Sequence, residues 1–244
     1  DAAILALRQF SENHSRSVEA QTALIEIGDI YFQDLWQLDK AVNAYQMAER
    51  AAANTERLHE TKLRLAQCRL AQNERDAAKQ TLESVKKAGG KAGPFYWHAM
   101  IDLAEIYFYE GRPSQCLREL SAFFAGDTTG SVPSHLQNDA LDLSMVLQEN
   151  LFDSTGLAIL GKAELFTEQR RYPRSNALVD SFLTENPLST LKDEMRLLKA
   201  HNHQAQNEWQ PALETLQIVY QDEASYLQDT ALFESATIYQ HALQ

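Results

Sequence analysis

The spacing of small and apolar residues along the chain predicts a repeating pair of helices. A small residue followed three positions later by a larger one recurs at Gly28/Tyr31, Ala66/Arg69, Ala104/Tyr107, Ala163/Phe166, Ala200/His203 and Ala236/Tyr239. A second small residue follows at Ala41, Ala78, Cys116, Ser175 and Ala212, with an earlier copy at Ala3. Apolar residues stand four and seven positions after each second small residue, and these offsets share one face of a helix.

Short polar segments separate the two small residues of each copy, as in QNERD at 72–76 and EGRPS at 110–114. Prolines stand just before three of the second helices, where their fixed φ suits a first helical turn: Pro113, Pro173 and Pro211. Each copy is therefore predicted to be a helix, a tight turn and a second helix. The small residues mark the places where the two helices cross closely.

Most copies follow a period of 37–38 residues, but Ala104 and Ala163 are 59 residues apart. The longer interval predicts one extra helix at 135–151, in which Leu136, Ala140, Leu143 and Leu147 form one apolar stripe.

Two segments carry a family resemblance, IDLAEIYFYEGRPSQCLRELSAFF at 101–124 and ALIEIGDIYFQDLWQLDKAVNAYQMAERA at 23–51. Their small residue, aromatic, polar turn and second small residue resemble the tetratricopeptide repeat (TPR). The resemblance implies an all-α, right-handed TPR-like α-solenoid. The chain departs from the 34-residue period typical of that family, and Arg69 and His203 replace the usual aromatic.

The pattern predicts a single array over residues 1–244. Its parts are a half-repeat at 1–17, repeats at 18–54, 55–92 and 93–126, the extra helix at 135–151, repeats at 154–188 and 189–223, and a half-repeat at 225–244. Solenoids carry polar capping repeats at their ends, and neither half-repeat looks like a cap. We therefore expect the array to continue beyond both ends, or a partner to cover them.

The charge balance narrows the class of partner. With 22 basic and 34 acidic residues the net charge is −12, which disfavours nucleic acid and anionic membrane surfaces. No apolar run approaches the length of a membrane span, so direct membrane insertion is not expected. Cys68 and Cys116 lie in amphipathic runs and are expected to be buried free thiols, with a disulfide between them as the alternative.

No motif points to catalysis, a cofactor or a metal. The segment from Gly156 to Lys162 matches most of a phosphate-binding loop, but Ala163 replaces the required hydroxyl and no strand precedes it. His201 and His203 are two apart and would point away from each other on a helix. We therefore expect no metal site, no cofactor and no enzymatic activity.

The family resemblance implies a non-catalytic scaffold that binds protein or peptide segments or assembles a larger complex. In such proteins the first helices line a groove, which gives the candidate partner-binding residues Asp29, Phe32, Gln67, Leu70, Glu105, Phe108 and Glu164. An apolar and acidic strip of this kind suits a segment with apolar anchors and basic flanks. A second row of residues stands three positions before each first small residue. It either adds to the groove or packs neighbouring first helices together, and its members are Ile25, Leu63, Ile101, Leu160, Leu197 and Phe233.

The segment NDALDLSMVLQENLFDST resembles long TPR proteins of Bacteroidota. This resemblance favours a bacterial envelope setting, in the periplasm or on an outer-membrane lipoprotein, with the cytoplasm as the alternative. Two other functions stay open: a helper domain of a larger enzyme or secretion machine, and a cytoplasmic peptide-binding regulator.

Overall fold

The computed structural model describes residues 2–15, 17–51, 54–88, 93–126 and 132–242. These residues form α-helices without a strand: α1 (Ala2–Asn13), α2 (Val18–Asp29), α3 (Leu38–Arg50), α4 (Thr55–Ala71), α5 (Arg75–Ala88), α6 (Pro94–Tyr109), α7 (Pro113–Gly126), α8 (Ser134–Glu149), α9 (Ser154–Glu168), α10 (Tyr172–Glu185), α11 (Lys192–Ala205), α12 (Trp209–Tyr220) and α13 (Gln228–His241). A π-helical turn at Ile30–Asp34 continues α2.

The chain forms two compact units, one from Asp1–Ile106 and Gln115–Ser144, the other from Tyr107–Ser114 and Met145–Gln244. In the first unit α1 to α5 pack in chain order, and in the second α9 to α13 do the same. Each unit is thus a stack of helix pairs, and the predicted all-α, TPR-like fold is confirmed. The extra helix is also present, as α8, with Leu136, Ala140 and Leu147 buried.

Small residues occupy the helix crossings, as the spacing predicts. Nine of them are at most 1% exposed: Ala41, Ala66, Ala78, Ala104, Cys116, Ala163, Ser175, Ala200 and Ala212. Gly28 shows why size matters, because a Cβ atom there would lie 2.3 Å from Cε1 of Tyr45 on the paired helix. Backbones can approach this closely only where no larger side chain separates them.

Each turn between paired helices contains one residue with a positive φ: Trp36 (50°), Asn73 (66°), Gly111 (68°), Arg170 (53°) and Asn207 (59°). This left-handed residue ends a helix and lets backbone N–H groups bond to the last free carbonyls. The N–H of Glu74 donates to the carbonyl oxygen of Arg69 at 2.8 Å, and the N–H of Arg112 donates to the carbonyl oxygen of Tyr107 at 2.9 Å. The polar segments in the sequence are therefore helix caps.

The residue three positions after the first small residue contacts side chains of this turn or of the second helix. In two repeats an arginine lies over an aromatic ring, with 5.0 Å from Cζ to the ring centroid for both Arg112 over Tyr107 and Arg171 over Phe166. Arg69, which replaces the aromatic, instead donates to Thr81 Oγ1 at 2.5 Å. The departure from the family pattern thus exchanges a ring contact for a hydrogen bond.

The first and last helices expose the face that paired helices bury. Ala236 was expected at a crossing but is exposed, as are Phe233 and Tyr239 beside it. Among the described residues α13 packs on α12, and it does so through its opposite face, which includes Ile238. In α1, Ala3 and Phe10 are exposed while Ile4 is buried.

Cys68 and Cys116 are free and buried, so the expectation of free thiols is confirmed and the disulfide alternative is wrong. Burial raises the pKa of the Cys68 thiol to about 12.

The segment that resembles a phosphate-binding loop is an ordinary part of α9. Its Gly161 is buried, and a Cβ atom there would lie 2.3 Å from the carbonyl oxygen of Phe108. Lys162 is exposed. The close approach of α9 to the backbone of Phe108 therefore accounts for the glycine at position 161.

We expect Gly161→Ala to lower the free energy of unfolding by about 1–3 kcal/mol, because a backbone carbonyl cannot move aside for the new methyl group. Urea denaturation followed by circular dichroism measures this. Lys162→Ala is the control and should change stability by less than about 0.5 kcal/mol. A Gly161→Ala variant as stable as the parent would contradict the close approach.

Candidate partner-binding face

The first helices of neighbouring pairs lie side by side within each unit. α2 contacts α4, and α9 contacts α11. An ion pair joins the first two, with Arg64 Nη1 3.2 Å from Asp29 Oδ1. A hydrogen bond joins the other two, in which Thr167 Oγ1 donates to Asn202 Oδ1 at 2.6 Å. Their side chains therefore form a surface that continues from one repeat to the next.

The row of apolar residues that precedes the small residues packs inside the array. Its members Ile25, Leu63, Ile101, Leu160 and Leu197 are between 2% and 9% exposed. Phe233, in the last helix, is 74% exposed. Five of the six residues of this row therefore pack inside the protein. The accessible surface is built by the residues that stand one and four positions after each small residue.

Phe32 lies in the π-helical turn and is partly exposed. Its ring stacks on that of Trp36, with 5.4 Å between centroids and 21° between planes. The turn accommodates one additional residue, since Gly28 and Ala41 are 13 apart whereas Ala66 and Ala78 are 12 apart. That difference is the sequence signal for the π turn, and sequence reasoning missed it.

Gln67 and Leu70 lie on α4, the next first helix. Gln67 is exposed, and Leu70 is partly buried against the core residues around Leu82. Phe32 lies in the π-helical turn that continues the neighbouring α2. Phe32, Gln67 and Leu70 together give the first unit an accessible surface with two apolar side chains and one amide. We call these three residues the α2–α4 face.

Asp29 was expected to attract a basic partner, but its carboxylate already has partners inside the protein. The Tyr45 hydroxyl donates to Asp29 Oδ1 at 2.7 Å, and Arg64 pairs with the same oxygen. Burial and the bond to Asp29 both raise the pKa of Tyr45, which therefore stays protonated as the donor. Asp29 thus links its own helix to α3 through Tyr45 and to α4 through Arg64, and it offers little free charge.

Phe108 was also expected in the groove, and the structure corrects this expectation. Its side chain is 1% exposed, so it cannot serve as an anchor for a partner. Phe108 follows Ala104 at the same offset of four at which Phe32 follows Gly28. Glu105 is partly buried on the same helix.

Glu164 is partly buried on α9, and its charge is suppressed. Burial, with a smaller effect from the nearby Glu168, raises the pKa of Glu164 to about 8. A carboxyl group with this pKa is mostly neutral at pH 7. The acidic character expected for this part of the face is therefore weaker than the sequence suggests.

The described residues contain no group of three His, Cys, Asp or Glu side chains placed to hold a metal ion. His201 and His203 point to different partners: His201 Nε2 lies 2.9 Å from the carboxylate of Glu234, and His203 Nδ1 lies 2.6 Å from Glu208 Oε2.

None of the described helices has the length and apolarity needed to cross a membrane.

Comparison with protein-family models gives no match, and comparison with curated proteins gives none either. Among solved structures, the chain is similar to the TPR2AB domain of yeast Sti1 in complex with pHSP90, with 14% identity, 93% of this chain and 100% of that chain covered, and a TM-score of 0.42. It is also similar to a tetratricopeptide repeat protein from Parabacteroides merdae, with 13% identity, 96% and 91% covered, and a TM-score of 0.45.

The raised pKa of Glu164 predicts a pH-dependent stability. In the unfolded chain this carboxyl has a pKa near 4.5, and in the folded chain near 8. The folded state therefore favours the proton, and this contribution is complete below about pH 4.5 and lost as the pH rises to about 8. We expect the parent to lose stability relative to Glu164→Gln across this window.

Urea denaturation at several pH values measures the difference between the two proteins. Lys162→Gln, an exposed change on the same helix, should keep the pH profile of the parent. Parallel profiles for Glu164→Gln and the parent would show that Glu164 has an ordinary pKa.

Proposed function

We propose that this protein is a non-catalytic scaffold that binds segments of other proteins on the exposed face of its first helices. The observation that carries the proposal is the side-by-side packing of neighbouring first helices, which places the α2–α4 face on one continuous surface. Accessible aromatic and aliphatic side chains are the usual anchors of such interfaces.

Two observations support a ranking of the contacts that a partner would make. Asp29 is engaged by Tyr45 and Arg64, and Glu164 has a raised pKa. Apolar contacts with Phe32 and Leu70 should therefore contribute more to binding than the basic flanks expected from the sequence. The Gln67 amide can both donate and accept hydrogen bonds, which suits the backbone of an extended segment.

We further propose that the scaffold works in the bacterial envelope as part of a larger assembly. This finer proposal rests on the resemblance of NDALDLSMVLQENLFDST to segments of Bacteroidota TPR proteins. Fractionation of cells that make the full-length protein tests it. Recovery with the envelope is the expected result, whereas recovery with the cytoplasm would favour a peptide-binding regulator.

We expect the double variant Phe32→Ala, Leu70→Ala to bind a co-purified partner at least about tenfold more weakly, because central apolar anchors are typically worth 2 kcal/mol or more each. Isothermal titration calorimetry with the identified partner measures the change. The matched control is Leu188→Ala with Ile218→Ala, which removes two exposed apolar side chains elsewhere.

Both double variants should keep the helical circular dichroism signal of the parent. A folded Phe32→Ala, Leu70→Ala variant that binds with parental affinity would exclude the α2–α4 face as the binding surface.

A further inference from the structure

A cavity of about 370 Å³ opens between α1 and the pair formed by α2 and α3. It is lined by Arg8, Leu24, Ile27, Tyr31, Lys40, Asn43, Ala44 and Met47. Its floor belongs to the hydrophobic core, since Leu24, Ile27 and Ala44 are all buried core residues. Its volume lies near the lower end of the range of about 300–1,000 Å³ that is typical of ligand pockets.

The rim of this cavity is cationic. Arg8 and Lys40 are exposed, and neither forms an ion pair with a described carboxylate. Lys40 Nζ lies 5.4 Å from the centroid of the Tyr31 ring. Two other cavities among the described residues combine several carboxylates with a single lysine: Asp39 and Glu74 with Lys40 in one, and Glu149, Asp193 and Glu194 with Lys192 in the other. In a chain of net charge −12 this is an unusual local environment.

The next repeat has different residues at the corresponding places. At the places of Tyr31 and Ala44 it has Arg69 and Thr81, which are joined by a hydrogen bond of 2.5 Å. At the places of Leu24 and Met47 it has Lys62 and Ser84, which are joined by a hydrogen bond of 3.3 Å. The first repeat has no such polar pairs, and the four residues at these places, Leu24, Tyr31, Ala44 and Met47, line the cavity.

The apolar surface continues beyond the cavity. Met47 is 50% exposed at the rim, and Leu5, which is 58% exposed, lies one helical turn before Arg8 on the same face of α1. A ligand longer than the cavity would therefore cover further apolar surface, as a polypeptide segment does. The flexible thioether of Met47 can adapt to side chains of different shape.

We propose that this cavity binds a partner segment in which an apolar side chain stands next to a carboxylate. The apolar side chain enters the space above Leu24 and Ala44, and the carboxylate pairs with Arg8 and Lys40. The proposal rests on the proposed function, that the chain binds protein segments. It adds a second site, with a preference for acidic segments, that shares no residue with the α2–α4 face.

The test uses the full chain labelled with ¹³C at its methionine methyl groups and monitored by NMR. The probe is the peptide acetyl-Glu-Leu-Phe-Glu-amide, compared with acetyl-Gln-Leu-Phe-Gln-amide and with decanoate. We expect the acidic peptide to shift the Met47 methyl signal in a saturable way. The buried Met100 and Met195 and the exposed Met145 should not respond.

Three variants locate the binding. Arg8→Gln with Lys40→Gln should weaken binding of the acidic peptide at least about tenfold, because charge-assisted contacts are lost. Arg50→Gln with Lys87→Gln removes the same charge from exposed positions outside the cavity and should leave binding unchanged. Ala44→Leu should abolish binding by filling the space, and leucine already stands at the corresponding place of α10 as Leu178.

An unshifted Met47 signal, or equal binding by the Arg8→Gln, Lys40→Gln variant and the parent, would overturn the proposal. Tighter binding of decanoate than of the acidic peptide would overturn the choice of a polypeptide ligand. These results are separable from the proposed function, because a co-purified partner that depends on Phe32 and Leu70 would still bind when the cavity site fails.

Discussion

Two helices can share a buried face along their length only where their backbones approach closely at the crossing. In this protein a glycine, alanine, serine or cysteine stands at the crossings within the array, and the remaining packing follows from that approach. Gly28 under the ring of Tyr45 and Gly161 against the carbonyl of Phe108 are the tightest examples. A larger residue at either place would separate the helices and open the core around them.

The turns and the exposed surface depend on the same spacing. A left-handed residue ends the first helix seven positions after its small residue, as Asn73 does after Ala66. In the first repeat the distance is eight, and the π turn at Ile30–Asp34 absorbs the difference. Four positions after the small residue, Phe32 and Leu70 are partly exposed, whereas Phe108 is buried. The same repeat position is therefore buried in one copy and partly exposed in others.

The repeating pattern was sufficient to predict the helix pairs, the extra helix and the crossing residues other than Ala3 and Ala236 in the end helices, because small residues and helical offsets are properties of the sequence alone. The binding face was harder to predict. The same repeat position is partly exposed at Phe32 and buried at Phe108, and the free charge of Asp29 depends on Tyr45, 16 residues away. The cavity at Arg8 was not predicted at all, because its lining combines side chains of three helices whose placement the repeat pattern does not show.

The close crossing of Gly28 and Tyr45 can be tested most directly by a double-mutant cycle. Gly28→Ala, Tyr45→Leu and the double variant are compared with the parent by urea denaturation. The account predicts that Gly28→Ala costs about 1–3 kcal/mol in the parent and clearly less once the ring is removed, because the clash is with that ring. Additive effects of the two substitutions would contradict a direct contact at this crossing.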